Sequence, residues 1–205
     1  MENKNYHEDL SHIRSMMEKS SLFISLSGLS GVFAGLTALV GAAYVFWLFK
    51  KNRINYFDGK EIVFTKELIQ QVFFTGIIVL IVAIFCGYFF TAKKSKKAGL
   101  KIWDKTTKRL LVNFAIPLFA GTLYCLALLY HGLFIFILPT TLIFYGLALV
   151  NASKYTLTDV QYLGYMEIGL GLISLFFLGW GFLFWIIGFG VLHIVYGLVM
   201  HKKYQ

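Results

Sequence analysis

Charged residues are scarce in this chain. Asp, Glu, Lys and Arg make up 14% of the 205 residues, whereas hydrophobic residues make up 58%, and the mean hydropathy is +0.71. A typical soluble domain carries about 25% charged residues, because its surface faces water. The shortage of charge therefore excludes an ordinary soluble domain and predicts an integral membrane protein.

Cysteine is nearly absent, and the motifs of common enzyme classes are missing. Cys86 and Cys125 lie inside apolar runs, where a thiol behaves as a small hydrophobic group, so we predict no disulfide and no metal site. No DxxxD, GxSxG or HExxH motif occurs, and the glycine repeats lack the strand-to-helix context of phosphate loops. Of the five histidines only His193 lies deep in an apolar run, which argues against bis-histidine haem. The sequence predicts a non-enzymatic protein without a cofactor.

Long hydrophobic runs are what the sequence has instead. A helix needs about 20 apolar residues to cross about 30 Å of hydrocarbon, and six runs qualify. Connections of two or three residues follow the third and fifth runs, and such short connections favour antiparallel neighbours. We therefore predict an all-α fold, a polytopic membrane helix bundle with six transmembrane helices in three hairpins. The runs are roughly Leu22 to Phe49, Leu68 to Thr91, Leu110 to Tyr130, Leu133 to Val150, Val160 to Leu178 and Phe182 to Met200.

The positions of the apolar runs divide the chain into three parts. Residues 1–21 form a predicted amphipathic segment, because apolar residues recur there at steps of three and four among polar ones. We expect it to lie on the membrane surface, to pack under the bundle or to recruit a partner. Residues 22–200 form the predicted six-span domain and residues 201–205 a tail. In the first loop, Ile62-Val63-Phe64 is a candidate short strand. The apolar positions of the amphipathic segment are Tyr6, Leu10, Ile13 and Met17.

The distribution of Lys and Arg predicts the orientation. With both termini in the cytoplasm, the inner side receives three of these residues before the first run, eight from Lys93 to Arg109, and Lys154, Lys202 and Lys203. The outer side receives five, all in the first loop. Positive residues concentrate on the cytoplasmic side of membrane proteins, so this orientation is favoured over its reverse. The cluster from Lys93 to Arg109 lies beside membrane spans, and it predicts contact with anionic lipid rather than nucleic acid.

Small residues line one face of the first run. Residues without bulk let a second helix approach closely, which favours association in lipid. The face is suited either to packing within the chain or to a homodimer. It consists of Ser27, Gly31, Gly35, Ala38 and Ala42. Asn113 and Asn151 are a second polar feature, since they flank Gly132 symmetrically and their amides can bond across helices.

Glu167 is the only acidic residue deep inside any of the long apolar runs. It lies 13 residues before Trp180, and His193 lies 13 residues after it, so a hairpin would place both at similar depth. Ionisable groups inside a membrane are costly and usually functional. Three interpretations remain open: a polar clasp between two helices, a site for a proton or ligand, or no contact. Three tyrosines are candidates for extending the network: Tyr162, Tyr165 and Tyr196.

Two stretches also carry a resemblance. Ser25-Leu26-Ser27-Gly28-Leu29-Ser30-Gly31, together with the segment from Asn151-Ala152-Ser153 through Gly188-Phe189-Gly190 to Gly197, resembles small multi-pass membrane proteins of bacteria for which no activity is known. The resemblance implies a bacterial cytoplasmic (inner) membrane. Taken with the missing motifs, it leads us to expect a scaffold or regulatory membrane component; the alternative is a small solute or proton-coupled transporter using Glu167 and His193.

Overall fold

The computed structural model describes residues 27–54, 65–99 and 102–204, so the predicted amphipathic segment, the candidate strand and Gln205 lie outside the described residues. The prediction of an all-α fold is confirmed, since no strand occurs in the described part. Its helices are α1 (Gly28–Lys51), α2 (Lys66–Lys97), α3 (Lys105–Tyr130), α4 (Ile137–Ala152), α5 (Asp159–Phe176), α6 (Gly181–Trp185), a π-helical segment (Ile186–Leu192) and α7 (His193–Tyr204). The last three follow one another without a break and are called the C-terminal rod.

Within the described ranges, five helical stretches are long and apolar enough to cross a membrane. Four of them correspond to the first four predicted runs, and the fifth, Leu178–Tyr204, contains the C-terminal rod. The remaining predicted run corresponds to α5, which has 18 residues and does not belong to this set. The mean hydropathy of α5 is lowered by Asp159, Gln161 and Glu167, which explains why this helix does not belong to the set.

Two helices begin earlier than the apolar runs predicted, because each has a side-chain cap. The Thr65 hydroxyl accepts a hydrogen bond from the Leu68 N–H at 3.3 Å, and the Asp104 carboxylate accepts one from the Thr107 N–H at 2.6 Å. These bonds satisfy donors in the first turn that have no partner within the helix. The caps, rather than hydrophobicity, therefore set the starts of α2 and α3.

The Asp104 cap gives a first prediction. Asp104→Ala is expected to lower the free energy of unfolding by about 1 kcal/mol, the usual cost of losing such a cap, whereas Asp104→Asn keeps an acceptor and changes it little. The Thr107 N–H lowers the pKa of Asp104, so the stabilisation by the charge is present above the ordinary aspartate pKa and is lost as pH falls through the lowered value. Denaturant unfolding measures both variants. Equal losses for Ala and Asn would refute the capping role.

Of the elements in the described part of the chain, four form the centre of the bundle and two lie outside it. Helix α1 packs against α2 on one side and against the C-terminal rod on the other, while α4 packs between α3 and α5. Most of the apolar length of α2 and α3 is exposed. Exposed apolar side chains are expected where a helix faces lipid. The interior is therefore built by α1, α4, α5 and the C-terminal rod.

The small-residue face of α1 contacts the C-terminal rod of the same chain. A Cβ built on Gly35 would lie 2.6 Å from the Gly190 carbonyl oxygen, and one on Gly197 would lie 2.5 Å from the Val32 nitrogen. Backbones this close require glycine, since any larger residue would separate the helices. Ser27, Ala38 and Ala42 of the predicted face are buried as well. The face is thus occupied within one chain.

Helices α4 and α5 cross with a similar glycine contact. A Cβ on Gly146 would lie 2.6 Å from the Gly164 carbonyl oxygen, and one on Gly164 would lie 2.8 Å from the Gly146 carbonyl oxygen. The close α4–α5 crossing places the middle of α5 in the interior.

Helices α3 and α4 are joined by a hydrogen bond, in which the Asn151 side-chain amide donates to the backbone carbonyl oxygen of Asn113 at 2.7 Å.

Candidate functional site

Glu167 occupies the centre of the buried face of α5. Its side chain is completely buried. Gly164 precedes it by three residues and Gly171 follows it by four, and both allow α4 to approach closely on either side. Because neither glycine has a side chain, α4 packs close to the backbone of α5 at both positions. This close packing helps to exclude water from the carboxyl group.

His193 faces Glu167 from the first position of α7. Its Nδ1 atom lies 3.4 Å from Glu167 Oε1 and 3.0 Å from the Gly188 carbonyl oxygen. The imidazole is 5% exposed, so both groups of the predicted pair are in the interior. Of the three interpretations left open by the sequence, the geometry leaves the clasp and the proton or ligand site, since the two side chains meet.

Tyr145 of α4 completes the cluster. Its hydroxyl lies 2.8 Å from His193 Nε2. A carbonyl oxygen can only accept a hydrogen bond, so we assign the proton of the neutral ring to Nδ1, which donates to Gly188; Nε2 then accepts from the tyrosine hydroxyl. Both ring nitrogens are satisfied in this tautomer, which fixes the ring between α4 and its own helix.

The Glu167 carboxyl group, unlike the imidazole, has no hydrogen bonds to the described residues. Neither of its oxygens has a hydrogen-bond partner among the described residues, and the contact with His193 Nδ1 is shared with the Gly188 carbonyl group. A buried charge with one weak partner is strongly disfavoured. The carboxyl group is therefore most stable in its neutral form, and a charged form depends on the nearby histidine for compensation.

Gly188 shapes the space around the carboxyl group. A Cβ on this residue would lie 2.5 Å from Glu167 Oε2 and 2.6 Å from Leu142 Cδ2, so any larger residue would displace one of these side chains. Gly188 belongs to the π-helical segment, a conformation that is rare and often found at functional sites. The unusual helix thus supplies both the room for the carboxyl group and the carbonyl acceptor for His193.

Aromatic rings cover the cluster on the side of the C-terminal rod. Phe189 lies 5.8 Å from the His193 ring and 4.9 Å from the Tyr145 ring, measured between centroids, and Trp185 lies 5.0 Å from Phe189. Packed rings at these separations contribute dispersion and quadrupole interactions. They hold the imidazole in place with apolar contacts on its faces.

The three predicted tyrosines do not behave alike. Tyr162 and Tyr165 are 62% and 50% exposed, and they lie on the outer face of α5, away from the cluster. Tyr165 accepts a hydrogen bond from the Gln161 amide instead. The Tyr196 hydroxyl is buried and has no hydrogen-bond partner among the described residues. Of the three predicted tyrosines, Tyr196 is therefore the one whose hydroxyl group lies in the interior.

A second polar group joins the ends of α5 and α7. The Lys203 ammonium group donates to Asp159 Oδ1 and Oδ2 at 3.0 and 2.9 Å, and the Tyr204 hydroxyl donates to Asp159 Oδ2 at 2.6 Å. The Lys203 side chain is 54% exposed and that of Asp159 is 21% exposed. This edge cluster is in contact with solvent, eight residues from Glu167 along α5.

Two site residues escaped the sequence analysis. Tyr145 lies seven residues before the end of α4, so counting depth would have placed it level with Glu167 and His193. Gly188 could not be identified as a site residue from the sequence, because glycines are common throughout this chain and no sequence pattern predicted a π-helix there. In the described ranges no group of three or more His, Cys, Asp or Glu side chains is arranged to hold a metal ion.

Fold and site define the chain as an all-α protein that has helices apolar enough for a membrane and a buried carboxyl–imidazole–phenol cluster. The chain matches no protein-family model, no curated protein and no solved structure. The site must therefore be interpreted from its own geometry.

Proposed function

We propose that the protein is a six-span membrane protein of the bacterial inner membrane with both termini in the cytoplasm. α5 then forms the fifth span, since its 18 residues rise about 27 Å, close to the thickness of the hydrocarbon. Each short connection joins antiparallel neighbours, giving three hairpins. The basic residues around the α2–α3 connection lie on the cytoplasmic side, where they bind anionic lipid headgroups.

Within this architecture we propose a non-enzymatic role as a scaffold or regulatory component. The observation that supports it is the complete burial of Glu167 together with the 5% exposure of His193. Close contact between Gly188 and the carboxyl group leaves no room for a solute on that side. The cluster then clasps α5 to α7 and α4, and the protein acts by contact with another membrane protein or a second copy.

The second candidate is a small solute or proton-coupled transporter. It is favoured by the two unpartnered oxygens of Glu167, because a carboxyl group that is left without donors is unstable unless something else binds it during a working cycle. The π-helical segment beside it also favours a helix that changes conformation. Transport requires that water reach Glu167 from one side in at least one conformation.

Cysteine accessibility separates these functions. Cys86 and Cys125 are first replaced with alanine, and Ser174→Cys is introduced on the same face of α5 as Glu167, where the native side chain is completely buried. For a scaffold we expect no reaction with a membrane-impermeant maleimide in intact or opened vesicles, because a buried thiol does not ionise without water. Thr158→Cys, at an exposed position before α5, is the positive control.

The two results are mutually exclusive. Labelling of Thr158→Cys alone supports the scaffold. Labelling of Ser174→Cys at a comparable rate, in a protein that still elutes as a folded species, contradicts a dry interior and supports transport.

A further inference from the structure

We propose that the protein contains a proton route from the edge cluster Asp159–Lys203–Tyr204, through Tyr196, Tyr145 and His193, to Glu167. The ligand of the buried site is then a proton taken from water at that edge. The inference does not rest on the scaffold role, since a proton can regulate a scaffold as well as drive a carrier.

The site at the inner end of the route is suited to a proton. Glu167 is completely buried, both of its oxygens lack hydrogen-bond partners among the described residues, and Gly188 leaves no space beside Oε2. A metal ion or organic cation would need room and further ligands. A proton needs only one oxygen lone pair, and it removes the cost of the buried charge.

Tyr196 is placed to connect the two ends. It lies three residues after His193, about one turn toward the edge cluster on the same helix. Tyr196 and Tyr145 both pack against one buried apolar cluster that includes Val160, the residue that follows Asp159 of the edge cluster. The Tyr196 hydroxyl is buried without a partner although a buried hydroxyl is normally bonded. A relay explains this, because a hydroxyl that passes a proton must be able to accept one.

His193 makes the last transfer. When a proton enters from the edge, each tyrosine oxygen accepts it and releases the proton it already held, with water filling any gap. The Tyr145 hydroxyl delivers a proton to Nε2, and Nδ1 releases its own proton to Glu167 Oε1, 3.4 Å away. One proton is taken from water and one is bound by the carboxylate, and the ring stays neutral. The bare Nδ1 then faces the Gly188 carbonyl oxygen, and the original tautomer is restored when Glu167 gives its proton back to Nδ1 and Nε2 returns one to the Tyr145 oxygen.

Infrared spectroscopy can detect this proton directly. The protein is placed in lipid nanodiscs, and the C=O stretch of a protonated carboxylic acid is followed after a jump in pH. Because the other Asp and Glu side chains contribute to the same region, the wild-type spectrum is compared with that of Glu167→Gln, and we expect one titrating component that the variant lacks. Tyr196→Phe should keep the band at equilibrium but form it more slowly, by about tenfold, because a positioned relay accelerates proton transfer and water replaces it only in part.

Tyr162→Phe is the matched control, since it removes the hydroxyl of an exposed tyrosine on α5, and it should behave like the wild type. A wild-type spectrum with no component that is missing from Glu167→Gln, or with such a component that does not change with pH, overturns the proton site. A wild-type rate in Tyr196→Phe overturns the route. Neither result depends on maleimide labelling at position 174, so the proposed scaffold function can fail separately.

Discussion

Alanine at Gly146 is expected to lower the free energy of unfolding by about 2 kcal/mol, within the range for overpacking a tight interior. The added methyl group would lie 2.6 Å from the Gly164 carbonyl oxygen and 2.9 Å from the Ile168 nitrogen. Both atoms belong to backbone, so no side-chain rotation can relieve the contact and α4 must move away from α5. Unfolding in mixed micelles, followed by circular dichroism, measures the loss.

Gly169 of α5 offers a matched control for this effect. Nothing lies within 4 Å of a Cβ built there. Gly169→Ala should be neutral or stabilising by up to about 1 kcal/mol, because alanine favours the helix more than glycine does. If Gly146→Ala and Gly169→Ala change stability alike, helix propensity rather than the α4–α5 contact controls the result, and the close crossing is not what supports the site.

His193→Ala is expected to cost more, about 3 kcal/mol, the upper end of the cost of leaving a buried hydrogen-bonding group unsatisfied. The substitution leaves the Tyr145 hydroxyl without its acceptor and removes the donor nearest to Glu167. It also opens a space beside Phe189, whose ring stacks on the imidazole. The same unfolding measurement applies, with the exposed His131→Ala as a control that should change stability little.

A double-mutant cycle isolates the contact with the carboxyl group. If His193 and Glu167 stabilise each other, the cost of His193→Ala should be smaller in a Glu167→Gln background, because the carboxyl group that His193 contacts is already absent there. Strictly additive effects would show that the clasp consists of the Tyr145–His193 hydrogen bond alone, and the assignment of a joint role to Glu167 would have to be withdrawn.

Much of this architecture follows from one-dimensional patterns. Long apolar runs predict helices because lipid leaves no other partner for backbone groups. Counting residues from Trp180 placed Glu167 and His193 at one depth because helical rise is constant, and His193 Nδ1 lies 3.4 Å from Glu167 Oε1. Asn113 and Asn151 were paired by the same count and are joined by a hydrogen bond.

The identity of the helices that pack side by side could not be predicted from the sequence. The short turn at Gly179 suggested that α5 pairs chiefly with the helix after it, yet α5 packs mainly against α4. Apolar residues surround every one of these helices, so no amphipathic stripe identifies the neighbour. The contact depends on Gly146 and Gly164 meeting backbone to backbone, and many other glycines in this chain are equally small. Tyr145 was missed for the same reason, since depth alone does not identify the helix that faces the site.

The lengths of the helices have a consequence for the bilayer itself. The 32 residues of α2 rise about 48 Å, whereas the 18 residues of α5 rise about 27 Å. Both present side chains to their surroundings, α2 over most of its surface and α5 through Tyr162, Met166 and Phe176. In the proposed six-span arrangement, the hydrocarbon beside α5 is therefore thinner than that beside α2, where the terminal lysine stems extend to the headgroups. That arrangement gives a gradient of hydrophobic thickness across the width of the protein, with the buried carboxyl group on the thin side.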